Sequence, residues 1–271
     1  MIRERNRWLS AYALLVYAFL FAPIAVLILY SFNTAKRGLV WQGFTLDWYP
    51  RLLANDELTD ALVVTLQVAV VAVLVSTVLG SLLGLGLARL RFRGRGATET
   101  LLLVPMVTPE IVMGLSLLLF FLQLVDTHGS LVQLWVAHIT FCISYVAVVV
   151  RARASNMNPQ LEEAARDLGA SAWGAFRYVT LPLIAPAVLA GALLAFSLSF
   201  DDYVVTTFNA GVGSSTLPLY IYGRIKFGIT PEINAISTII VAIVGVALLI
   251  AWRLGAFRAD VTTQVVGEPP G

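Results

Sequence analysis

Charged residues are scarce in this sequence. Only 13% of its 271 residues are Asp, Glu, Lys or Arg, whereas 59% are hydrophobic. A soluble domain is about a quarter charged and about half apolar, and no water-soluble fold has a core large enough to hide this much apolar surface. The shortage of charge therefore excludes an ordinary soluble domain and indicates a protein that is dissolved in lipid.

Residues suited to covalent or metal chemistry are equally few. The chain has one cysteine, Cys142, and two histidines, His128 and His138, and they form no group with the spacing of metal ligands. One cysteine permits no disulfide within the chain, so we expect a buried structural thiol and structural histidines. With no Ser/His/Asp arrangement and no paired catalytic carboxylates, the sequence predicts a protein that is not an enzyme.

A phosphate-binding loop is also missing. The sequence contains no Gly-x-x-x-x-Gly-Lys-Ser/Thr motif, so the chain is not expected to bind ATP in that way. The net charge is only +2, and the arginines stand in clusters between apolar blocks. No nucleic-acid surface is predicted from that distribution.

Long apolar blocks are what the sequence does contain. A helix needs roughly 20 such residues to span the hydrocarbon core of a bilayer. Six blocks satisfy or approach this length, at residues 9–30, 61–88, 101–125, 131–150, 182–200 and 233–254. They predict an all-α integral membrane protein with six transmembrane helices.

The positions of Lys and Arg predict the orientation of these spans, because cytoplasmic loops are rich in both. With the N-terminus inside, about 13 basic residues fall on the cytoplasmic side and about 5 on the other. Both termini are then cytoplasmic. The chain divides into an N-terminal helix and external loop (residues 1–58), a five-helix core (59–258) and a cytoplasmic tail (259–271).

The stretch between the fourth and fifth predicted spans is too polar for lipid but has a helical pattern. Asn158 can cap a helix that starts at Pro159. Apolar residues then recur at i, i+3, i+4 and i+7, namely Leu161, Ala164, Ala165 and Leu168. Such a helix can lie on the membrane surface or dock a cytoplasmic partner, and its pattern fits both.

The end of this helix and a second turn are also predicted from local rules. Glu162 precedes Arg166 by four residues, the order that favours an ion pair, and Gly169 suits a left-handed helix end. Ser171 can cap a further turn whose aromatic residues are Trp173 and Phe176.

The same stretch resembles the EAA loop of binding-protein-dependent ABC importer permeases. Glu163-Ala164-Ala165 is followed after three residues by Gly169, after nine more by Val179, and then by Leu181-Pro182, with valine where the family more often has isoleucine. The place of the loop before the penultimate span agrees with that family. The count of six helices agrees as well.

This resemblance implies the type I importer permease fold, also called MetI-like, with the loop at residues 155–182 inserted into an ATPase subunit. It implies that Glu163, Ala164, Ala165 and Gly169 couple the two proteins rather than perform chemistry. We assign three further residues of the same helices to this coupling site, Glu162, Trp173 and Phe176. The chain then needs no cofactor of its own, since the partner ATPase binds ATP and Mg²⁺.

Three acidic residues stand where lipid is expected. Glu110 lies within the third predicted span, just after two prolines that loosen the helix, and Asp201 and Asp202 end the fifth span at its external side. Ionisable groups at such depth are costly and usually face a pathway or a partner. They can be structural, or they can line a cation path in which Tyr203 or Phe200 offers an aromatic face to an ammonium group.

Three further segments are similar to PotC-type spermidine/putrescine permeases. They are SFDDY from Ser199, SSTLPLYIY from Ser214 and FGITPEINA from Phe227. This resemblance implies a polyamine cargo in a bacterial inner membrane. Together with the acidic residues placed where lipid is expected, it predicts a substrate pathway lined by Glu110, Asp201, Asp202 and Tyr203. It also implies a PotA-like ATPase dimer, a PotB-like second permease and a PotD-like extracytoplasmic solute-binding protein as partners.

Two alternatives stay open at this point. Permeases for phosphonates and ferric iron share parts of the same segments, so the cargo can differ while the machine is the same. A secondary transporter with Glu110 as its proton site would need no ATPase.

Overall fold

The computed structural model describes residues 7–35, 40–125, 129–226, 228 and 230–253. Within these ranges the regular structure is helical, apart from one isolated β-bridge between Asn33 and Phe44. The all-α prediction is confirmed. His128 and the predicted tail at 259–271 lie outside the described residues. The described residues form two compact units, one drawn from 1–55 and 224–271 and the other from 56–223.

The first unit contains α1 (Arg7–Tyr30), α2 (Trp48–Leu53) and α12 (Pro231–Arg253), and α12 packs against the other two. No residue in the most apolar stretch of α1 is buried within the protein, as expected for a helix in lipid. The turn between α1 and α2 is organised by Asn33, whose carbonyl oxygen accepts the indole N–H of Trp48 at 2.7 Å.

The second unit holds the remaining helices. They are α3 (Asp56–Arg89), α4 (Arg95–Val107), α5 (Glu110–Leu124), α6 (Leu131–Ser155), α7 (Gln160–Asp167), α8 (Ala172–Ala175), a π-helix (Phe176–Thr180), α9 (Leu181–Phe200), α10 (Val204–Asn209) and α11 (Leu217–Ile225), whose last two residues belong to the first unit. Its centre is a bundle of α3, α6 and α9, in which each helix packs against the other two.

Glycines allow α3 and α6 to approach closely. A Cβ atom at Gly84 would lie 2.5 Å from the backbone oxygen of Ala147, and one at Gly80 would lie 2.7 Å from the Cβ of Val146. The two glycines are four residues apart on one face of α3, the small-xxx-small arrangement by which membrane helices bring their backbones together. Lipid supplies no hydrophobic drive for helix association, so this packing stabilises the bundle.

In the part of the chain that the structure describes, four helices are long and apolar enough to cross a membrane, at Trp8–Tyr30, Asp56–Arg89, Leu131–Ser155 and Ala172–Phe200. They match the first, second, fourth and fifth predicted spans, and the fifth begins earlier than predicted because α8 and the π-helix continue into α9. The sixth predicted span corresponds to α12, in which Pro231–Val246 forms a shorter apolar stretch.

The prediction that the third span is one continuous helix was wrong. It consists of α4 and α5, which meet at an angle of 111°. Thr108 has extended backbone angles, φ −67° and ψ 132°, since a residue before proline avoids the helical region. Pro109 adds no backbone N–H to a continuing helix. Together these two residues end α4 and allow α5 to start in a new direction at Glu110.

Candidate functional site

The four residues that the sequence placed on a substrate pathway border one cavity in the unit of residues 56–223. The cavity has a volume of about 470 Å³ and lies beside the break between α4 and α5. Its walls include Glu110, Asp201, Asp202 and Tyr203, together with Pro105, Pro109, Phe141 and Tyr145. The substrate role of the four residues stays a prediction. The structure does bring them to the same cavity, although Glu110 is distant in sequence from the other three.

The two neighbouring aspartates have different environments. The Asp202 carboxylate accepts the N–H of Val205 at 3.2 Å, and both the N–H and the hydroxyl of Thr206 at 2.8 Å. Its side chain is only 7% exposed, and it caps the start of α10. Asp201 is exposed at the cavity wall. Of the pair, Asp201 is therefore the one whose carboxylate is accessible from the cavity.

The position of this pair differs from the sequence prediction in one respect. The helix ends at Phe200 as expected, but the chain then adds α10, which packs on α5 and α6. Asn209 of α10 donates to the carbonyl of Gly114 at 3.1 Å and accepts from the amide of Gln133 at 2.9 Å. The aspartates thus lie at a break between two packed helices rather than at a freely solvated helix end.

A buried polar network supports Asp202. His138 Nδ1 bonds the hydroxyl of Ser199 at 2.8 Å, and Nε2 bonds that of Thr206 at 3.1 Å and lies 3.6 Å from the Asp202 carboxylate. His138 is fully buried, which agrees with the structural role predicted for it. Sequence reasoning missed the network, because its members are up to 68 residues apart and show no shared spacing.

Glu110 and Tyr203 complete the polar side of the cavity. Glu110 is exposed and begins α5, where the helix dipole favours a negative charge. The Tyr203 ring packs on that of Tyr222, with centroids 4.1 Å apart and planes at 31°. Two accessible carboxylates beside an aromatic pair form a surface that suits a cation.

The predicted coupling helix is α7, and its two ends follow the rules used to predict them. The side-chain oxygen of Asn158 accepts the N–H of Gln160 at 3.0 Å. Gly169 has a left-handed φ of +91°, and the N–H groups of Gly169 and Ala170 bond the carbonyls of Arg166 and Ala165. These two bonds form a Schellman motif, which satisfies carbonyls that the helix end leaves free.

The second turn of the coupling region also matches its prediction. The Ser171 hydroxyl accepts the N–H of Gly174 at 3.1 Å and so caps α8. The rings of Trp173 and Phe176 contact each other, with centroids 5.4 Å apart. Trp173 is 66% exposed and Leu168 is 89% exposed, so the described part of the chain does not cover the apolar side of this region.

Glu162 makes a different ion pair from the one predicted. Its carboxylate lies 3.1 Å from the Arg89 guanidinium at the end of α3, and it also accepts the Thr180 hydroxyl of the π-helix. No pair between Glu162 and Arg166 is present among the described residues. Arg89 is largely buried and needs a counter-charge, whereas an exposed pair along α7 gains little.

The two glutamates of α7 therefore have separate positions. Glu162 faces the body of the unit, whereas Glu163 and Ala164 are exposed and Ala165 is half-buried. Sequence reasoning missed Arg89 as the partner of Glu162. The sequence signal that could have indicated Arg89 was the run of alternating arginines at the end of the second span.

Residues 76–257 match the protein family described as "Binding-protein-dependent transport system inner membrane component". That match covers more than half of the chain. The chain belongs to this family. It is thus a multi-pass permease subunit of an ABC importer, as the coupling-loop motif predicted.

Relatives of this permease cover nearly its whole length. The putrescine transport system permease protein PotI of Escherichia coli K12 is 40% identical over 262 residues, which are 94% of this chain and 93% of that protein. The spermidine/putrescine transport system permease protein PotC of the same strain is 43% identical, over 88% of this chain and 90% of that protein. PotC of Haemophilus influenzae is 41% identical, over 90% and 95%.

Solved structures with the same fold include a bacterial ABC transporter that imports the acidic polysaccharide alginate. The matching chain superimposes with a TM-score of 0.66 at 17% identity, over 95% of this chain and 98% of its own length. A second structure, of an alginate ABC transporter in complex with a pentasaccharide-bound periplasmic protein, gives a TM-score of 0.71 at 18% identity, over 91% and 93%. These likenesses confirm the ABC importer permease fold.

Proposed function

We propose that this permease imports polyamines such as putrescine and spermidine. The observation that carries the proposal is its 40% identity to PotI and 43% identity to PotC, each over about nine tenths of both chains. The cavity adds chemical support, because Asp201 and Glu110 are accessible carboxylates and a polyamine carries two or more ammonium groups. Tyr203 offers an aromatic face to one of them.

A second candidate cargo is 2-aminoethylphosphonate. The putative 2-aminoethylphosphonate transport system permease protein PhnV of Salmonella typhimurium is 27% identical over 90% of this chain. That solute carries one ammonium group, but also an anionic phosphonate that two exposed carboxylates would repel. The acidic cavity therefore favours the polycation. Membership of the ABC importer family argues against the proton-coupled secondary transporter.

The coupling region supplies the second half of the proposal. The coupling region inserts α7, α8 and the start of the π-helix into one subunit of a PotA-like ATPase dimer. Glu163, Ala164 and Trp173 lie on its exposed side, and Phe176 is half-buried against the Trp173 ring. That dimer binds ATP and Mg²⁺, and this end of the permease is cytoplasmic, as are both termini. A capped, ion-paired helix transmits the closure of the ATPase to the spans as a rigid body.

Two further partners complete the importer. A related PotB-like permease supplies the other half of the pore, and a PotD-like solute-binding protein delivers the polyamine from outside the bacterial inner membrane. ATP binding turns the cavity outward, and hydrolysis returns it to the cytoplasmic side.

The cargo is tested with the complete importer, reconstituted in lipid with its binding protein. We expect putrescine or spermidine to stimulate ATP hydrolysis and to accumulate in the vesicles, and 2-aminoethylphosphonate to do neither at the same concentration. Stimulation by 2-aminoethylphosphonate alone would overturn the polyamine assignment while leaving the coupling proposal intact.

A further inference from the structure

An apolar groove runs along the last turns of α3. Its volume is about 460 Å³, within the range of about 300–1,000 Å³ in which small ligands bind. The lining side chains are Leu79, Leu82, Leu83, Leu87, Phe92 and Ile143. Leu79, Leu82 and Phe92 are 46%, 60% and 45% exposed. The groove is thus an open, hydrocarbon-lined surface that the described part of the chain does not fill.

Two arginines stand beside one end of this groove. Arg91 and Arg93 flank Phe92 in the loop that joins α3 to α4, and both are exposed. Neither takes part in an ion pair found among the described residues, whereas Arg89 and Arg95 on either side each pair with a glutamate. The unpaired positive charge of the loop therefore lies next to Phe92, whose ring lines the groove.

We propose that the groove and its two arginines bind an anionic phospholipid. An acyl chain fits the leucine-lined surface, and a guanidinium group binds a phosphate through two parallel hydrogen bonds. Basic residues at the membrane boundary of helix bundles attract anionic headgroups in this way. A zwitterionic lipid fits the groove equally well, but the two arginines contribute less to the free energy of its binding.

The proposed lipid site lies on the same side of the membrane as the coupling region. Arg89, the last residue of α3, contacts Glu162 of α7, so the loop that follows lies at that end of the unit. The assignment of this leaflet as cytoplasmic rests on the proposed function, whereas the binding of the lipid does not depend on it. An apolar helix of a second permease could also cover the groove, but it would leave the two arginines without an anion.

The test counts lipids on the complete importer by native mass spectrometry after detergent exchange, with phosphatidylglycerol or phosphatidylcholine added back. We expect phosphatidylglycerol to bind this site more tightly than phosphatidylcholine. The double variant R91Q/R93Q should weaken phosphatidylglycerol binding by about thirtyfold, the effect of losing two interfacial charges. R91K/R93K should retain most of it, and Arg253→Gln, a matched exposed arginine at the end of α12, should change nothing.

A groove-filling pair of variants tests the apolar half. Leu79→Trp should reduce binding of both lipids, whereas Leu74→Trp, at a 64% exposed position on the same helix outside the groove, should not. Equal phosphatidylglycerol counts for wild type and R91Q/R93Q would overturn the proposal. So would cross-linking of a cysteine at Leu79 to the second permease, which would show that protein covers the groove.

Discussion

At the scale of single residues, the structure separates two adjacent aspartates that look equivalent in the sequence. Both line the cavity, but the Asp202 carboxylate accepts hydrogen bonds from the backbone and from the Thr206 hydroxyl at the start of α10, whereas Asp201 is exposed. The resemblance to polyamine permeases named both residues. The sequence prediction did not divide their roles, because it missed the local cap of α10 by Asp202. The buried His138 comes close to Asp202 only through the tertiary fold.

This difference predicts opposite results for two substitutions. Asp201→Asn should reduce polyamine uptake by about tenfold or more, since an interaction with a charged group is worth about 1.5–3 kcal/mol, and should leave the thermal stability of the complex unchanged. Asp202→Ala should lower the stability of α10 by about 1–2 kcal/mol through loss of its cap. Uptake and thermal unfolding of both variants check this. Normal uptake by Asp201→Asn would contradict the assignment.

Gly169 provides a second prediction at this scale. A Cβ atom there would meet nothing within 4 Å, but φ is +91°, so the cost of Gly169→Ala is backbone strain of about 1–2 kcal/mol. We expect weaker coupling of ATP hydrolysis to uptake, because the end of α7 loses its fixed turn. Gly174→Ala is the control, at a glycine within α8 without positive φ. Equal transport per ATP in the two variants would argue against a rigid α7.

At the scale of helices, the sequence predicted best where structure depends on near neighbours. The caps of α7 and α8 and the left-handed end at Gly169 follow from residues within four positions of one another. The break between α4 and α5 was underestimated, since Pro109 was interpreted as loosening one helix rather than ending it. The pairing of Glu162 with Arg89 could not be predicted, because 73 positions separate the two residues and nearer partners were available.

The Arg89–Glu162 pair predicts a rescue by charge exchange. Arg89→Glu and Glu162→Arg should each lower transport per ATP hydrolysed, because each leaves two like charges between α3 and α7. The double variant should recover part of the loss, with an interaction free energy of about 1–3 kcal/mol from a double-mutant cycle. Additive losses would show that the pair does not hold α7 in place.

The contact of α3 with α6 predicts a contrast between two glycines on one helix. Gly84→Ala places a methyl group 2.5 Å from the Ala147 oxygen, whereas a methyl group at Gly86 meets nothing within 4 Å. We expect Gly84→Ala to lower the melting temperature of the purified permease clearly, since the backbones must separate. Gly86→Ala should be neutral or slightly stabilising. A similar melting temperature for both would contradict the close packing.

At the scale of the whole molecule, one unit combines an acidic cavity at a helix break with a capped helix pair, and the described residues leave the exposed side of that pair uncovered. The α3–α6–α9 bundle connects these two features, and Arg89 and Thr180 attach α7 to it through Glu162. A movement imposed on α7 therefore reaches the helices that border the cavity. In the proposed coupling mechanism, a separate ATPase exerts that movement.

The most direct measurement of this claim is polyamine-stimulated ATP hydrolysis by the reconstituted importer with Glu163→Lys in this chain. Glu163 is exposed on α7 and makes none of the contacts that hold the helix to α3, so the variant should fold and assemble with its normal stability. The account predicts that stimulation by putrescine or spermidine is lost, together with uptake. Full stimulation and normal uptake by the Glu163→Lys importer would contradict it.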